Sequence, residues 1–176
     1  MTVRQVLRLG DPRLRQRSAE VDEALFGSAE LQALITDLRD TMAARDGVGL
    51  AAPQIAVPLR VVIYGITANP RYPEAPPIPE TLLINPVLTP IGSDSQPGWE
   101  GCLSVPGLRG QVERAQCLQV AWRDPDGASH GRIVEGFHAR VVQHECDHLD
   151  GLLFVDRLVS SRALGFSEEL QQAGLL

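Results

Sequence analysis

The stretch Q-H-E-C-D-H-L-D-G at residues 143–151 decides the fold, because its two histidines have the spacing that lets them chelate one ion from a helix. On a helix His144 and His148 lie about 40° apart around the axis, with Cβ atoms roughly 5–6 Å apart. Glu145 lies on the same flank, within reach of a water on the metal. The stretch predicts a helix over residues 136–149 that carries a hydrolytic metal site. The alternative is two helical histidines without a metal.

The two faces of this helix differ in composition. Phe137 and Val141 lie one to two turns before the histidines on the same face, where they are candidates for the wall of an apolar pocket. The opposite face is apolar and carries Ala139, Val142, Cys146 and Leu149. A helix with an apolar back and a metal-binding front is buried on most sides. Cys146 is therefore predicted to be a small core residue and no ligand.

A third metal ligand has to come from elsewhere, since no histidine or cysteine follows His148. Cys102 is favoured because it lies in the glycine-rich stretch E-G-C-L-S, where the backbone can approach an ion closely. Cys117 lies within a strand pattern and is the weaker candidate. Three protein ligands leave one position for water, as in catalytic sites. The alternative is that Cys102 is an inert buried thiol.

The stretch G-V-G-L-A-A-P-Q at residues 47–54 has two readings. Its glycines can simply end a helix and form a turn. The functional reading is a backbone close to a substrate, with the Gln54 amide as a neutral donor.

The rest of the chain favours an α+β fold, because a run of strands precedes the main helix and strands do not alternate regularly with helices. Ser28 is a candidate cap for a helix that ends near Gly47. The patterns predict strands over residues 59–64, 82–88, 117–122 and 130–134, a proline-rich exposed loop over 69–79, and an amphipathic C-terminal helix over 161–172. The architecture expected is antiparallel sheets packed around the central helix that carries H-E-x-x-H.

The length and composition of the chain limit its domain number, its partners and its location. A chain of 176 residues fits a single domain, residues 1–176. A net charge of −6 argues against nucleic acid or an anionic membrane as the main partner. No stretch predicts a signal peptide or a membrane span. Three cysteines, an odd number, indicate a reducing compartment, so the expected location is the cytoplasm.

Three segments together resemble the peptide deformylase family. They are G-V-G-L-A-A-P-Q, E-G-C-L-S and Q-H-E-C-D-H, which match the family's three motifs in order and without a mismatch. The opening V-L-R-L-G-D-P-R-L and the stretch G-F-H-A-R-V-V also resemble sequences of this family. The resemblance extends to about Phe154.

The resemblance implies removal of the N-formyl group from the initiator methionine of nascent polypeptides, with release of formate. It implies that Cys102, His144 and His148 hold one divalent ion, Fe(II) in the cell, with Zn, Ni or Co able to replace it. It also implies that the Gln54 amide and the Leu103 backbone N–H stabilise the oxyanion. Glu145 is expected to take a proton from the attacking water and deliver it to the leaving amine.

Substrate binding is expected from an apolar methionine pocket formed by Val48, Phe137 and Val141. The peptide backbone is expected to pair as an added strand with residues 47–49, including Gly49. Arg109 either approaches the pocket mouth or is a solvated loop charge.

Three other charged residues have predicted partners. Glu100 either pairs with Arg114 or both are surface charges. Asp147 is predicted to pair with an arginine.

Two features depart from the family pattern. Relatives often carry a basic C-terminal helix that docks on the ribosome, whereas residues 159–176 contain one arginine, Arg162, against Glu168 and Glu169. Only a transient ribosome contact is therefore expected. The loop at 69–79 is either a lid over the cleft or a solvated loop.

Two other functions remain open from the residues alone. A zinc protease uses H-E-x-x-H too, but it usually places its third ligand after the second histidine. A structural metal site would have four protein ligands and no use for Glu145.

Overall fold

The helix that carries the two histidines is α2, Gly136–Leu149, and ten of its residues are buried. The computed structural model of the protein describes residues 2–67 and 75–176. The predicted bounds of α2 are confirmed. Its back, which includes Ala139, Val142 and Leu149, packs into the main core together with Cys146, as expected for a helix enclosed by sheets.

The described part of the chain contains two other α-helices. Helix α1 is Ala29–Ala44, and the Ser28 hydroxyl accepts a bond from the Leu31 N–H at 3.1 Å, as the predicted cap requires. Helix α3 is Ser167–Gln172. Short 3-10 helices occur at Pro12–Arg15, Glu23–Leu25, Ala52–Ile55 and Phe154–Arg157. None of the helices in the described residues is long and apolar enough to span a bilayer.

Within the described residues the larger sheet has five antiparallel strands, in the order β1-β2-β3-β6-β7. They are β1 Gly49–Ala51, β2 Val61–Ile66, β3 Ile78–Pro90, β6 Cys117–Arg123 and β7 Ser129–Glu135. One face packs on α2 through Val62 and Tyr64, and the other packs on α1 through Val61 and Ile63. Because both faces of β2 are buried, its sequence is a continuous apolar run.

The smaller sheet, as far as the structure describes the chain, has three strands in the order β4-β5-β8. Its strands are β4 Ser95–Cys102, β5 Val105–Ala115 and β8 Leu164–Phe166. Strands β4 and β5 form a long hairpin in which Cys102 pairs with Val105, so that Leu103 and Ser104 are the two residues of its turn. A register shift between Glu100 and Cys102 aims the end of β4 at helix α2.

The α+β prediction is confirmed, and three of its details are corrected. The β4–β5 hairpin was not predicted. The C-terminal helix begins at Ser167 and not at residue 161, because Leu164–Phe166 pairs with Leu108–Gly110 as a strand. Strand β3 begins at Ile78, inside the predicted 69–79 loop; residues 69–74 of that loop lie outside the described residues.

Candidate metal centre

The tip of the β4–β5 hairpin brings a cysteine against the front of α2. The ligand atoms of Cys102, His144 and His148 all lie within 4.8 Å of one another, and Cys102 Sγ is 3.3 Å from His148 Nε2. The two imidazole rings are 5.2 Å apart and nearly perpendicular. The i, i+4 spacing and the hairpin turn thus place one thiol and two imidazoles around one point.

The chemistry of this donor set fits a divalent cation. Burial alone would raise the pKa of Cys102, but His148 and His144 hold the pKa of the thiol well below its usual range. The thiol is therefore stabilised as a thiolate, the form that binds metals. A divalent ion supplies the same positive charge and displaces protons from the imidazoles. One sulfur and two nitrogens are a donor set that suits zinc, iron, nickel or cobalt.

Glu145 points its carboxylate into the same cluster from the next position of α2. It is buried, and burial raises the pKa of Glu145 to about 7 in spite of the nearby His144 and His148. Its Oε2 has no hydrogen-bond partner among the described residues. A buried carboxyl whose pKa lies near neutrality is suited to accepting and returning a proton.

Gly49 makes room for this carboxylate. A Cβ atom built on Gly49 would overlap Glu145 Oε1, and its Cδ and Cγ would lie at 2.5 and 2.7 Å. Any larger residue at this position would force Glu145 to move. The second glycine of the 47–54 stretch is therefore needed for close approach of backbone and side chain.

The Gln54 amide is held in one orientation. Its Oε1 accepts from the Ala51 N–H at 2.8 Å, and its Nε2 donates to Ser104 Oγ at 3.0 Å and to Cys102 Sγ at 3.5 Å. The Ser104 N–H also donates to Cys102 Sγ, at 3.4 Å. These contacts aim the donor end of the amide at the cluster. Ser104 was not singled out from the sequence, although it belongs to the same E-G-C-L-S stretch.

A buried ion network lies behind the imidazoles. Glu100 accepts from His144 Nδ1 at 2.8 Å, from the Arg114 guanidinium at 2.9 and 3.0 Å, and from Arg140 at 3.0 Å. Burial alone would raise the pKa of Glu100, yet His144 and Arg114 lower it strongly. The Glu100–Arg114 pair is thus internal, which decides between the two readings of the sequence. The carboxylate fixes the ring and leaves Nε2 of His144 to face the cluster.

Asp147 extends this network on the far side of Arg114. It accepts from Arg114 at 2.6 Å and from Arg157 at 2.7 and 2.8 Å. The predicted pairing of Asp147 with an arginine is confirmed. Arg114 is therefore bound by two carboxylates, one of which touches a histidine of the cluster.

A cleft adjoins the cluster and contains most of the predicted substrate residues. Val48, Gly49, Phe137 and Val141 line it, as do Gln54 and Leu103. Trp99, Gly101 and Arg140 also line the cleft and were not among the predicted pocket residues. Arg140 bonds to the backbone oxygens of Gln96, Gly98 and Val112, which makes it a fixed part of the wall.

Arg109 is the one predicted substrate residue that does not line this cleft within the described part of the chain. It lies on β5 opposite Gly165 of β8 and is 7% exposed. A buried arginine contradicts the reading as a solvated loop charge. Its contact with substrate stays a prediction.

Known proteins similar to this chain indicate its family. The sequence profile of the polypeptide deformylase family matches residues 3–163. Peptide deformylase 1 of Prochlorococcus marinus is 60% identical over all of this chain and 91% of its own length. Peptide deformylase 1 of Nitrosomonas europaea is 53% identical over 96% of this chain and 94% of its own length.

A solved structure extends the likeness to three dimensions. The crystal structure of a class I type b peptide deformylase from Acinetobacter baumannii, bound to Met-Ala-Ser, has a TM-score of 0.86 and 41% identity. The match covers 89% of this chain and 99% of that one.

Proposed function

The chain belongs to the polypeptide deformylase family, and we propose that it carries out the family's reaction with Cys102, His144 and His148 as metal ligands and Glu145 as the proton carrier. The enzyme is a metal-dependent hydrolase that removes the formyl group from the N-terminal methionine of nascent polypeptides and releases formate. The observation that supports the ligand assignment is the convergence of one thiol and two imidazoles beside a buried carboxyl. Family membership also argues against the zinc protease alternative.

The proposed metal chemistry is that of a Lewis acid. A divalent ion, when bound, lowers the pKa of a coordinated water and polarises the formyl carbonyl. We propose Fe(II) as the ion used in the cell, with Zn, Ni or Co as replacements that the same donors accept.

Glu145 and two donors carry the proton and the charge. Glu145 accepts the proton of the attacking water and delivers it to the departing methionine nitrogen. The Gln54 Nε2 and the Leu103 backbone N–H are proposed to donate to the carbonyl oxygen as it gains negative charge. The bonds from Gln54 to Ala51 and Ser104 support this role, since they fix the amide before substrate arrives.

The substrate is proposed to bind as an added β-strand. Among the described residues, strand β1 pairs only with β2 and is an edge of the larger sheet, so its other side is available to a peptide. Val48, Phe137 and Val141 then form the apolar pocket for the methionine side chain. The Met-Ala-Ser bound by the Acinetobacter relative is a peptide of the kind that this arrangement accommodates.

The setting of the reaction follows from its substrate. We propose that the chain acts as one catalytic domain in the cytoplasm, where nascent polypeptides emerge. Helix α3 has Glu168 and Glu169 in its first turn and offers no basic surface for ribosomal RNA. We therefore expect a transient ribosome contact at most through this helix.

Formate release tests the proposed function directly. Metal-loaded protein, purified without oxygen, is expected to release formate from formyl-Met-Ala-Ser and to leave an unformylated internal peptide bond intact. Formate is measured with a coupled dehydrogenase, and cleavage of the control peptide is followed by mass spectrometry. Cleavage of the internal bond without formate release would overturn the proposal.

A further inference from the structure

Helix α2 and strand β4 touch at three regularly spaced points. Each contact joins every fourth residue of the helix to every second residue of the strand: Arg140 to Gly98, His144 to Glu100, and His148 to Cys102. Four residues of a helix advance about 6 Å, and two residues of a strand advance roughly 6.6 Å. Helix and strand therefore stay in step. Two of the contacts belong to the candidate metal centre, whereas the one at Arg140 is not explained by the reaction.

The Arg140 guanidinium holds the backbone of both strands of the hairpin. Its Nη2 donates to the Gln96 carbonyl at 2.6 Å, and its Nη1 donates to the Val112 carbonyl at 2.8 Å. The Gly98 carbonyl lies 3.4 Å from the same Nη1. Gly98 and Val112 are direct partners across β4 and β5. One planar guanidinium, the Arg140 clamp, thus joins two paired strands to the helix.

The chain leaves room for this clamp at Gly98. A Cβ atom built on Gly98 would lie 2.8 Å from both Cζ and Nη2 of Arg140. The φ angle of Gly98 is not positive, so the backbone by itself would accept alanine there. Space for the guanidinium is therefore the reason for glycine at this position. The buried charge of Arg140 is balanced by Glu100, at 3.0 Å.

We propose that Arg140 is a positioning residue that sets the register of the hairpin against α2, so that Cys102 lies beside His148 before an ion binds. The proposal rests on the proposed metal ligands, because Arg140 acts through Cys102. Bonds between two side chains can be remade by rotation, whereas bonds to the carbonyls of a strand fix the strand itself. Ligands that are already in place bind an ion more tightly, since less order has to be created on binding.

Two variants disturb the clamp from opposite sides. Arg140→Lys keeps the charge beside Glu100, but an ammonium on a flexible stem does not bridge two strands. Gly98→Ala keeps Arg140 and puts a methyl group into the space of its guanidinium. Each variant is expected to bind Co(II) about 10- to 100-fold more weakly in competition with a chelator. At saturating Co(II), the thiolate-to-cobalt absorption per bound ion is expected to lose intensity.

Arg60 provides a matched control at the other end of α2. Its side chain is 12% exposed, against 11% for Arg140, and it donates to the Leu149 carbonyl and to Asp150. Arg60→Lys therefore weakens a brace of similar burial at a distance from Cys102. This variant is expected to keep the Co(II) affinity and the absorption band of the unmodified protein. Denaturant unfolding of all variants records what each substitution costs in stability.

Two results would overturn the role of Arg140. One is unchanged Co(II) affinity in either clamp variant, because the charge at 140 or the space at Gly98 would then not matter. The other is an equal loss in Arg60→Lys, because any loosening of α2 would then have the same effect. If one clamp variant does not fold, the other decides. Failure of the proposed ligands is a separate observation, since the unmodified protein would then show no thiolate-to-cobalt band.

Discussion

Replacing Glu145 by Gln is expected to lower kcat for formyl-Met-Ala-Ser by about 10²- to 10⁴-fold, while one metal ion per chain remains bound. The amide has the shape of the carboxylate, so the packing against Gly49 is kept. It cannot take a proton from water or return one to the leaving amine. Formate release and metal content measured on the same preparation check both halves of the prediction.

A second carboxylate at the start of the same helix gives the control. Glu135 is the N-cap of α2 and is exposed, so Glu135→Gln changes charge by the same amount without touching the cluster. It is expected to keep kcat within a factor of two. Turnover by the Glu145→Gln variant that matched the control would exclude proton transfer by Glu145.

Replacing Arg114 by Met is expected to lower the free energy of unfolding by about 3–5 kcal/mol. Arg114 is almost fully buried and binds both Glu100 and Asp147. Its removal leaves Glu100, which is equally buried, with one cationic partner fewer in a low-dielectric environment. Denaturant unfolding of the metal-loaded protein measures the loss. Because Glu100 also orients His144, metal affinity is expected to fall by about 10- to 100-fold.

Arg157 is the matched control for this effect. It binds the same Asp147, but its side chain is 44% exposed, so Arg157→Met is expected to cost about 1 kcal/mol or less. Equal losses in the two variants would show that burial of the Glu100–Arg114 pair is not what stabilises the site.

The sequence predicted α2 and its two faces because the histidines, Phe137 and Val141 repeat with the helical period. The β4–β5 hairpin was not predicted from the sequence, and the reason is physical. Its buried positions include Glu100, Gly110 and Arg114, so the alternation of apolar and polar residues that marks a strand is absent. Those polar residues are buried because they support the cluster, and only the fold shows their partners.

The ends of the elements depended on tertiary contacts as well. Residues 161–172 have a helical pattern, but β5 offers an edge at Leu108–Gly110, and Leu164–Phe166 pairs with it. Because of that pairing, α3 begins only at Ser167. Trp99 and Arg140 were not predicted as cleft residues. Only the fold shows that Arg140 binds the carbonyls of Gln96 and Gly98 in β4 and that both residues line the cleft.

The coordination of the bound ion tests the central claim most directly. X-ray absorption spectroscopy on the zinc-loaded protein is predicted to show one sulfur at about 2.3 Å and two imidazole nitrogens at about 2.0–2.1 Å, with the remaining ligand an oxygen. The Cys102→Ala variant is predicted to lose the sulfur signal. A shell without sulfur, or one with four side-chain ligands from the protein, would contradict the account.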